Sequence, residues 1–406
     1  MVLTKKLIGF LVAVIIVVFE ITFIVKYYLP HSINLKIARN GIYMDNEHDP
    51  GLPSSMRINN EKKRTYFHGS QVGNTSSTKP NDTSELSFLS SSCSQLNFSV
   101  VSPLLEPNFV IKSSDLFLLV MIPSGIATSP FTARRNVIRS TWASRGLTSF
   151  LGTTWAHSWK RVFILGKSEK KLNNEIIQEA DNFDDISVFN TLDNYNNLII
   201  KTMSAFHWAL NRVNPRFILK ADDDVYIRLP YLISWLQEFG TKKFYGGDVK
   251  PDGTRVFRSD NKNFVAKDCL DLEFYPSYCS GPFYVLSSEA LRSMFRSIHK
   301  FPAFPVEDAY IGLLAHDNKI SPVKIPGFEF HGNLHGYGRC RWAWAMAIGH
   351  DLDDLQFAFI HQKLQETSKL PTAYLQCLVR DSPVFVFVAV VVSIAVLFLY
   401  LVFMCR

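Results

Sequence analysis

Between residues 112 and 376, short apolar runs alternate with stretches of helical period, and this alternation restricts the fold more than any other feature of the chain. Residues 116–122 (LFLLVMI) and 161–165 (RVFIL) have strand length, and 185–189 and 217–219 repeat the pattern more weakly. Near-continuous apolar strands are buried on both faces, as in parallel sheets, and parallel neighbours need a crossover of helical length. Residues 134–142, 171–180 and 197–213 provide such stretches. The expectation is an α/β domain with parallel strands. No internal repeat is present.

Such a sheet binds its ligand beyond the carboxyl ends of the strands. Lys220, Ala221, Asp222, Asp223, Asp224 and Val225 put three carboxylates directly after an apolar strand. A solvated turn is the plain explanation, since adjacent like charges repel. A calcium loop of EF-hand type fits poorly, because its sixth position is not Gly and Ile233 stands at its twelfth. Apolar flanks at a strand's carboxyl end favour a metal site, and oxygen ligands favour a hard cation such as Mn²⁺ or Mg²⁺.

The ends of the chain differ from its body. Residues 7–25 are apolar except for Glu20 and Thr22, with Lys5, Lys6 and Lys26 outside. No small-residue cleavage site follows, so an uncleaved signal-anchor is expected rather than a removed signal peptide. Residues 1–6 would be a cytosolic tail. Asn74, Asn81 and Asn97 head three glycosylation sequons within the Ser- and Thr-rich part of residues 26–111, which reads as a flexible stem in an oxidising lumen. Residues 384–404 are apolar around Ser393 and match a bilayer core of about 30 Å. A second spanning helix is expected there; Arg380 and Asp381 argue against a lipid-anchor signal. A mean hydropathy of +0.05 agrees with membrane segments. A net charge of +7 without a run of five basic residues argues against a nucleic-acid partner. No Cys-x-x-Cys pair gives zinc-site spacing, and Cys269, Cys279, Cys340 and Cys377 are disulfide candidates with three alternative pairings.

Five blocks occur in a fixed order: residues 135–142 (RNVIRSTW), 193–202 (DNYNNLIIKT), 220–225 (KADDDV), 275–281 (YPSYCSG) and 307–312 (EDAYIG). Together they resemble the inverting β-1,3-galactosyltransferase and β-1,3-N-acetylglucosaminyltransferase family, glycosyltransferase family 31, to which the fringe proteins also belong. The resemblance implies a GT-A-type fold with a mixed, mostly parallel sheet and helices on both faces. It also implies a UDP-sugar donor, a glycan acceptor, Mn²⁺ or another divalent cation, and a type II Golgi-membrane layout with the catalytic domain at 112–378 in the lumen. Asp224 would ligate the metal, Asp222 and Asp223 would face nucleotide and sugar, and Asp308 would be the catalytic base. The family's metal-binding His follows a Cys; Cys340, His350, Leu355 and Phe359 match that setting, with Phe in place of Trp, and His331 and His335 are rivals to His350.

The chemistry fits these residue types. A cation stabilises charge on a departing diphosphate as a Lewis acid. An acceptor hydroxyl is a poor nucleophile, so a carboxylate must take its proton, and one displacement inverts the anomeric centre. Glu307, Tyr278, Ser280 and Gly281 would line the acceptor side of the pocket. Arg135, Arg139 and Lys201 are candidate phosphate or uridine contacts, with solvated helix charges as the alternative. Glu307 and Asp308 could instead be an acidic pair at the start of a helix running from Ala309. Two departures stand out: Pro282 and Phe283 where relatives carry further Gly, and no Cys among Leu313, Leu314 and Ala315. The donor sugar, galactose or an N-acetylhexosamine, is left open. A silent glycan-binding or assembly partner on the same fold is the rival of another class, and the retained acidic triplet and Asp308 argue against it. A metal phosphodiesterase would need two metal sites.

Overall fold

The computed structural model describes residues 99–368 and Cys377, apart from 109–115, 128, 145–148, 151–152, 155–157, 170–173, 260–262 and 331–333. The expected spans at 7–25 and 384–404, the three sequons and most of the stem lie outside the described residues. Among the described residues no helix is long and apolar enough to cross a membrane.

Strands β1 (Pro103–Leu105), β2 (Leu116–Pro123), β3 (Ser158–Lys167), β4 (Ile186–Leu192) and β5 (Phe217–Ala221) enter one sheet, followed at its far side by β7 (Tyr245–Lys250), β10 (Tyr278–Ser287) and β11 (Val323–Lys324). Of the shorter strands, β6 (Tyr226–Ile227), β12 (Phe328–Phe330) and β13 (Ala347–Gly349) form a small second sheet, and β8 (Thr254–Arg255) and β9 (Phe274–Tyr275) form a ribbon. The large sheet has the order β1-β4-β3-β2-β5-β10-β7-β11. Its centre, β4-β3-β2-β5, is parallel. β10 runs antiparallel between β5 and β7, and β1 runs antiparallel to β4. The mixed, mostly parallel sheet expected from the sequence is present.

The apolar runs behave as their composition requires. Leu118, Val120 and Ile122 of β2 face one core, while Leu119 and Met121 face another, because alternate side chains point to opposite faces. Helices α1 (Phe131–Ser140), α2 (Asn174–Phe183), α4 (Leu229–Phe239) and α8 (Asp354–Ser368) cover the first face through Ile138, Ile176, Leu232 and Phe357. Helices α3 (Leu198–Trp208), α5 (Ser288–Ser297) and α6 (Glu307–Asp317) cover the second through Met203, Leu291 and Tyr310. The helical stretch expected at 197–213 is α3 plus a π-helical turn, Ala209–Val213, that stops at the left-handed Asn214. A short helix, α7 (Arg339–Trp344), precedes β13.

The chain order creates the kind of switch point at which ligands bind in such sheets. From β2 the chain moves outward to β3 and β4, then returns to β5 on the other side of β2. The carboxyl ends of β2 and β5 therefore flank a topological switch point, where the connections diverge and open a cleft. Asp222 follows β5 directly, and Ser124 follows β2.

Candidate active site

The strand ends are tied together before any ligand arrives. Asp193, just after β4, accepts from the backbone N–H of Gly166 at 3.2 Å and of Ile126 at 2.5 Å. It also accepts from Lys201 Nζ at 2.6 Å, and Lys201 in turn donates to the Ser124 carbonyl at 3.1 Å. Ser124 Oγ donates to Asp223 Oδ2 at 2.7 Å, so β2, β4 and the acidic triplet share one network. Burial raises the pKa of Asp223, opposed by the Ser124 hydrogen bond and the Arg134 charge.

Arg135, Arg139 and Lys201, the sequence candidates for phosphate or uridine, are spent elsewhere. Arg135 is fully buried and gives every N–H away: to Glu179 twice, and to Ser124, Gly125 and Thr132. Arg139 donates to Glu179, Asp185 and Asn136, and Arg161 also pairs with Asp185. Residues four apart on a helix share a face, and here that face points into the protein. These arginines lock α1 to α2 and β3, and their hydrogen bonds to buried partners leave them neither solvated nor turned toward the triplet. Lys201 is likewise a buried strut.

A second set of bonds joins the triplet to the Glu307–Asp308 pair. Lys220, on β5 and buried, donates from Nζ to Asp222 Oδ1 and to the Gly281 carbonyl, each at 2.7 Å, and lies 3.5 Å from Glu307 Oε2. Burial alone would lower the Lys220 pKa, but Asp222 and Glu307 raise it, which keeps the ammonium charged. Asp308 stands in the first turn of α6, where Oδ2 accepts from the Gly281 N–H at 2.8 Å and Oδ1 from the Ala309 N–H at 2.8 Å. A Cβ on residue 281 would sit 3.2 Å from Asp308 Oδ2, so Gly281 suits this close approach. Burial lifts the Asp308 pKa above the ordinary aspartate value, against Lys220 and these two N–H donors. Glu307 is buried, accepts from the Tyr284 hydroxyl, and is pushed up to about 7 by burial, with Lys220 opposing and Asp308 adding to the rise. The pair therefore opens a helix, as one of the two expected alternatives has it, and is linked to the triplet through Lys220.

Tyr278 and Ser280 are buried on β10 beside this centre. The Tyr278 ring meets Tyr275 edge-on at 5.8 Å, and the Tyr278 Cβ lies against Gly312 of α6, where an added Cβ would collide with it. Asp308 contributes to the raised pKa of Tyr278, after burial.

The candidate metal ligands meet through strand register. β13 pairs antiparallel with β6, Ile348 opposite Tyr226, and extending that register by two residues puts His350 opposite Asp224. Gly349 permits the approach: a Cβ there would lie 3.1 Å from the Asp224 carbonyl oxygen and 3.0 Å from Val225 Cγ2. Ligand atoms of Asp224, His350 and Asp351 fall within 4.8 Å of one another, and His350 Nδ1 is 3.2 Å from Asp351 Oδ2. Asp224 Oδ1 is buried and has no hydrogen-bond partner among the described residues. A buried carboxylate oxygen left unpaired is costly, and a cation would satisfy it. Burial, Asp222 and Asp223 push the Asp224 pKa up to about 6, with His350 opposing. Two carboxylates and one imidazole fit a divalent cation such as Mn²⁺. His331 lies outside the described residues, as does the side chain of His335.

Sequence reasoning passed over Asp351 and Ser124. Asp351 adjoins His350 in the sequence, and its left-handed φ of 60° marks a turn that swings the two side chains together. Ser124 carries no motif; only its place at the carboxyl end of β2 marks it. Among the cysteines, Cys340 and Cys377 form a disulfide and Cys269 is also disulfide-bonded, whereas Cys279 is a free thiol buried on β10. A Cys269–Cys279 pairing is therefore absent.

A family model described as galactosyltransferase matches residues 133–326, which include the triplet and Asp308 but not His350. The chain is 30% identical over 241 residues to N-acetyllactosaminide β-1,3-N-acetylglucosaminyltransferase 4 of Mus musculus, covering 58% of this chain and 65% of that one. It is 26% identical over 276 residues to lactosylceramide 1,3-N-acetyl-β-D-glucosaminyltransferase A of Danio rerio, covering 62% and 71%. Against β-1,3-galactosyltransferase 1 of Mus musculus the identity is 29% over 249 residues, covering 60% and 72%. The domain built on residues 133–326 thus belongs to the galactosyltransferase family, and the chain that carries it is a glycosyltransferase.

Proposed function

We propose that the protein is a metal-dependent, inverting β-1,3-glycosyltransferase of GT-A type. On this reading it moves galactose or an N-acetylhexosamine from a UDP-sugar to a glycan hydroxyl, at a Golgi membrane with its catalytic domain in the lumen. The observation that carries it is a pair of carboxylate centres with different partners, joined through Asp222, Lys220 and Gly281. One is a metal-ligand set with an orphaned oxygen, and the other is a buried carboxylate held by two backbone N–H groups.

Asp224, His350 and Asp351 would hold the cation, which as a Lewis acid would lower the cost of charge on the leaving diphosphate. Asp308 takes the proton of the attacking acceptor hydroxyl, and the pKa lifted by burial makes it a stronger base than an exposed aspartate. Lys220 keeps Asp222 and the Gly281 peptide in place, and through the Gly281 N–H it fixes the orientation of Asp308. Glu307, bonded to Tyr284 and near Lys220, buttresses this arrangement, while Tyr278 and Ser280 border the acceptor side.

A donor screen on the full-length chain tests this reading, using UDP-galactose, UDP-N-acetylglucosamine and UDP-N-acetylgalactosamine with and without Mn²⁺. Transfer from one donor, β-linked at a 3-hydroxyl and abolished by EDTA or by Asp224→Asn, is the expected result. Full activity in excess EDTA would remove the metal from the mechanism, and no transfer from any donor would favour a silent glycan-binding role.

A further inference from the structure

The region beyond β5 is heavily acidic: Asp222, Asp223, Asp224, Glu307, Asp308 and Asp351 are linked there by shared partners or short ligand-atom distances. An anionic donor entering such a field needs cationic partners beyond one metal ion. Arg135, Arg139 and Lys201 have no role there, because their donors are engaged inside the protein. Lys220 is buried and held by Asp222 and Gly281.

Arg134 is placed differently. One residue before Arg135, it is turned about 100° around α1, away from the buried face. Its side chain retains 28% exposure, and Nη1 donates to Asp223 Oδ1 at 3.1 Å. That ion pair anchors the guanidinium at the triplet. The Nε and Nη2 edge makes no hydrogen bond among the described residues. Two parallel N–H groups on this edge match two oxygens of a phosphate, the bidentate geometry that Lys cannot offer. The rim position, the fixed Nη1 and the open edge together describe a preorganised anion contact.

We propose that Arg134 is the arginine that grips the diphosphate of the nucleoside-diphosphate donor, through its Nε–Nη2 edge. The inference rests on the reading of the cleft as a nucleotide-sugar site, and it replaces Arg135 and Arg139 in that role. Asp223 then orients the fork of Arg134 and stays off the phosphates, which would repel its carboxylate.

The test is calorimetric binding of uridine, UMP and UDP to the full-length chain in Mn²⁺, for the wild type, Arg134→Ala and Arg134→Lys. Arg134→Ala should weaken UDP by about tenfold or more, the scale of one charge-assisted bidentate contact, and leave uridine within twofold. Arg134→Lys keeps the charge but not the fork, so it should fall between wild type and Ala. The melting temperature of each variant should stay near that of the wild type, because Arg134 is at the rim. Unchanged UDP affinity in Arg134→Ala would overturn the assignment, and so would an equal loss for uridine and UDP, which would mark an indirect effect on the fold. Failure of wild-type protein to bind UDP at all would instead overturn the nucleotide-sugar reading beneath it.

Discussion

Asp308 sits in the first turn of a helix and, in the proposed mechanism, would also take the acceptor's proton. Its carboxylate accepts from the Ala309 N–H at the start of α6 and from the Gly281 N–H across the cleft. Asn can accept only one of these two bonds through its amide oxygen, and its NH₂ would face the other N–H, so Asp308→Asn should cost some stability while keeping the fold and the UDP affinity. Proton abstraction would be lost, and turnover should fall by about 10²–10⁴ with every acceptor. Retention of more than about a third of wild-type turnover, far above that range, would redirect the assignment to Glu307. The pH dependence has a definite sign. A base must be ionised, and burial raises the Asp308 pKa, so activity should fall as pH drops through a value above the ordinary 3.8 of aspartate. A pH–kcat profile that stays flat down to that ordinary value would contradict the buried environment of the base.

At the scale of elements, the helix–strand packing beneath the cleft depends on charge as well as on apolar contact. Arg135, Arg139 and Arg161 share Glu179 and Asp185, all five side chains at 8% exposure or less. Burying such a cluster need not stabilise more than a well-packed apolar one, but removing one partner leaves charge unpaired, at a cost of about 3–5 kcal/mol. Glu179→Gln should therefore lower stability by about that amount and loosen α1 and α2 without touching the triplet. Burial tends to raise the Glu179 pKa, but the hydrogen bonds and charges of Arg135 and Arg139 outweigh it and hold the value below 4.5. Its contribution is thus present above pH 4.5 and is lost as pH falls through the depressed folded-state value. Denaturant titrations at pH 7 and in acid would show this: the variant should lose less stability on acidification than the wild type. An equal acid loss in both would mean that Glu179 is not one of the groups driving it.

For the whole molecule, the decisive contacts are long-range. Cys340 and Cys377 lie 37 positions apart in sequence, with β13 and His350 between them, so their bond restrains the segment that carries a candidate metal ligand. Loop-closure entropy for that length corresponds to about 4 kcal/mol as a model-dependent upper value. Cys377→Ser should lower the unfolding free energy by about 2–4 kcal/mol and weaken Mn²⁺ binding more than UDP binding in metal-free buffer. Metal affinity unaffected by the substitution would show that β13 holds its register through its strand partners alone.

Local residue pattern alone dictates the α/β alternation, the parallel centre of the sheet, and the placing of three carboxylates at a strand's carboxyl end. These follow from local rules: apolar runs buried on both sides must be strands within a covered sheet, and charge after such a strand must face a cleft. It also carried the ordered blocks that mark the family. It did not reveal β7 or β10, because Gly246, Gly247, Gly281 and Pro282 interrupt their apolar pattern and read as turns. Nor could it distinguish Arg134 from Arg135. Both are arginines on one helix, and their roles differ only because Glu179, on another helix, meets one of them inside the protein while Asp223 meets the other at the cleft. The approach of His350 to Asp224, 126 residues apart in the chain, was likewise decided by the pairing of β6 with β13. Which side chains meet across such distances depends on strand register and helix rotation, and those are fixed only when the two cores pack.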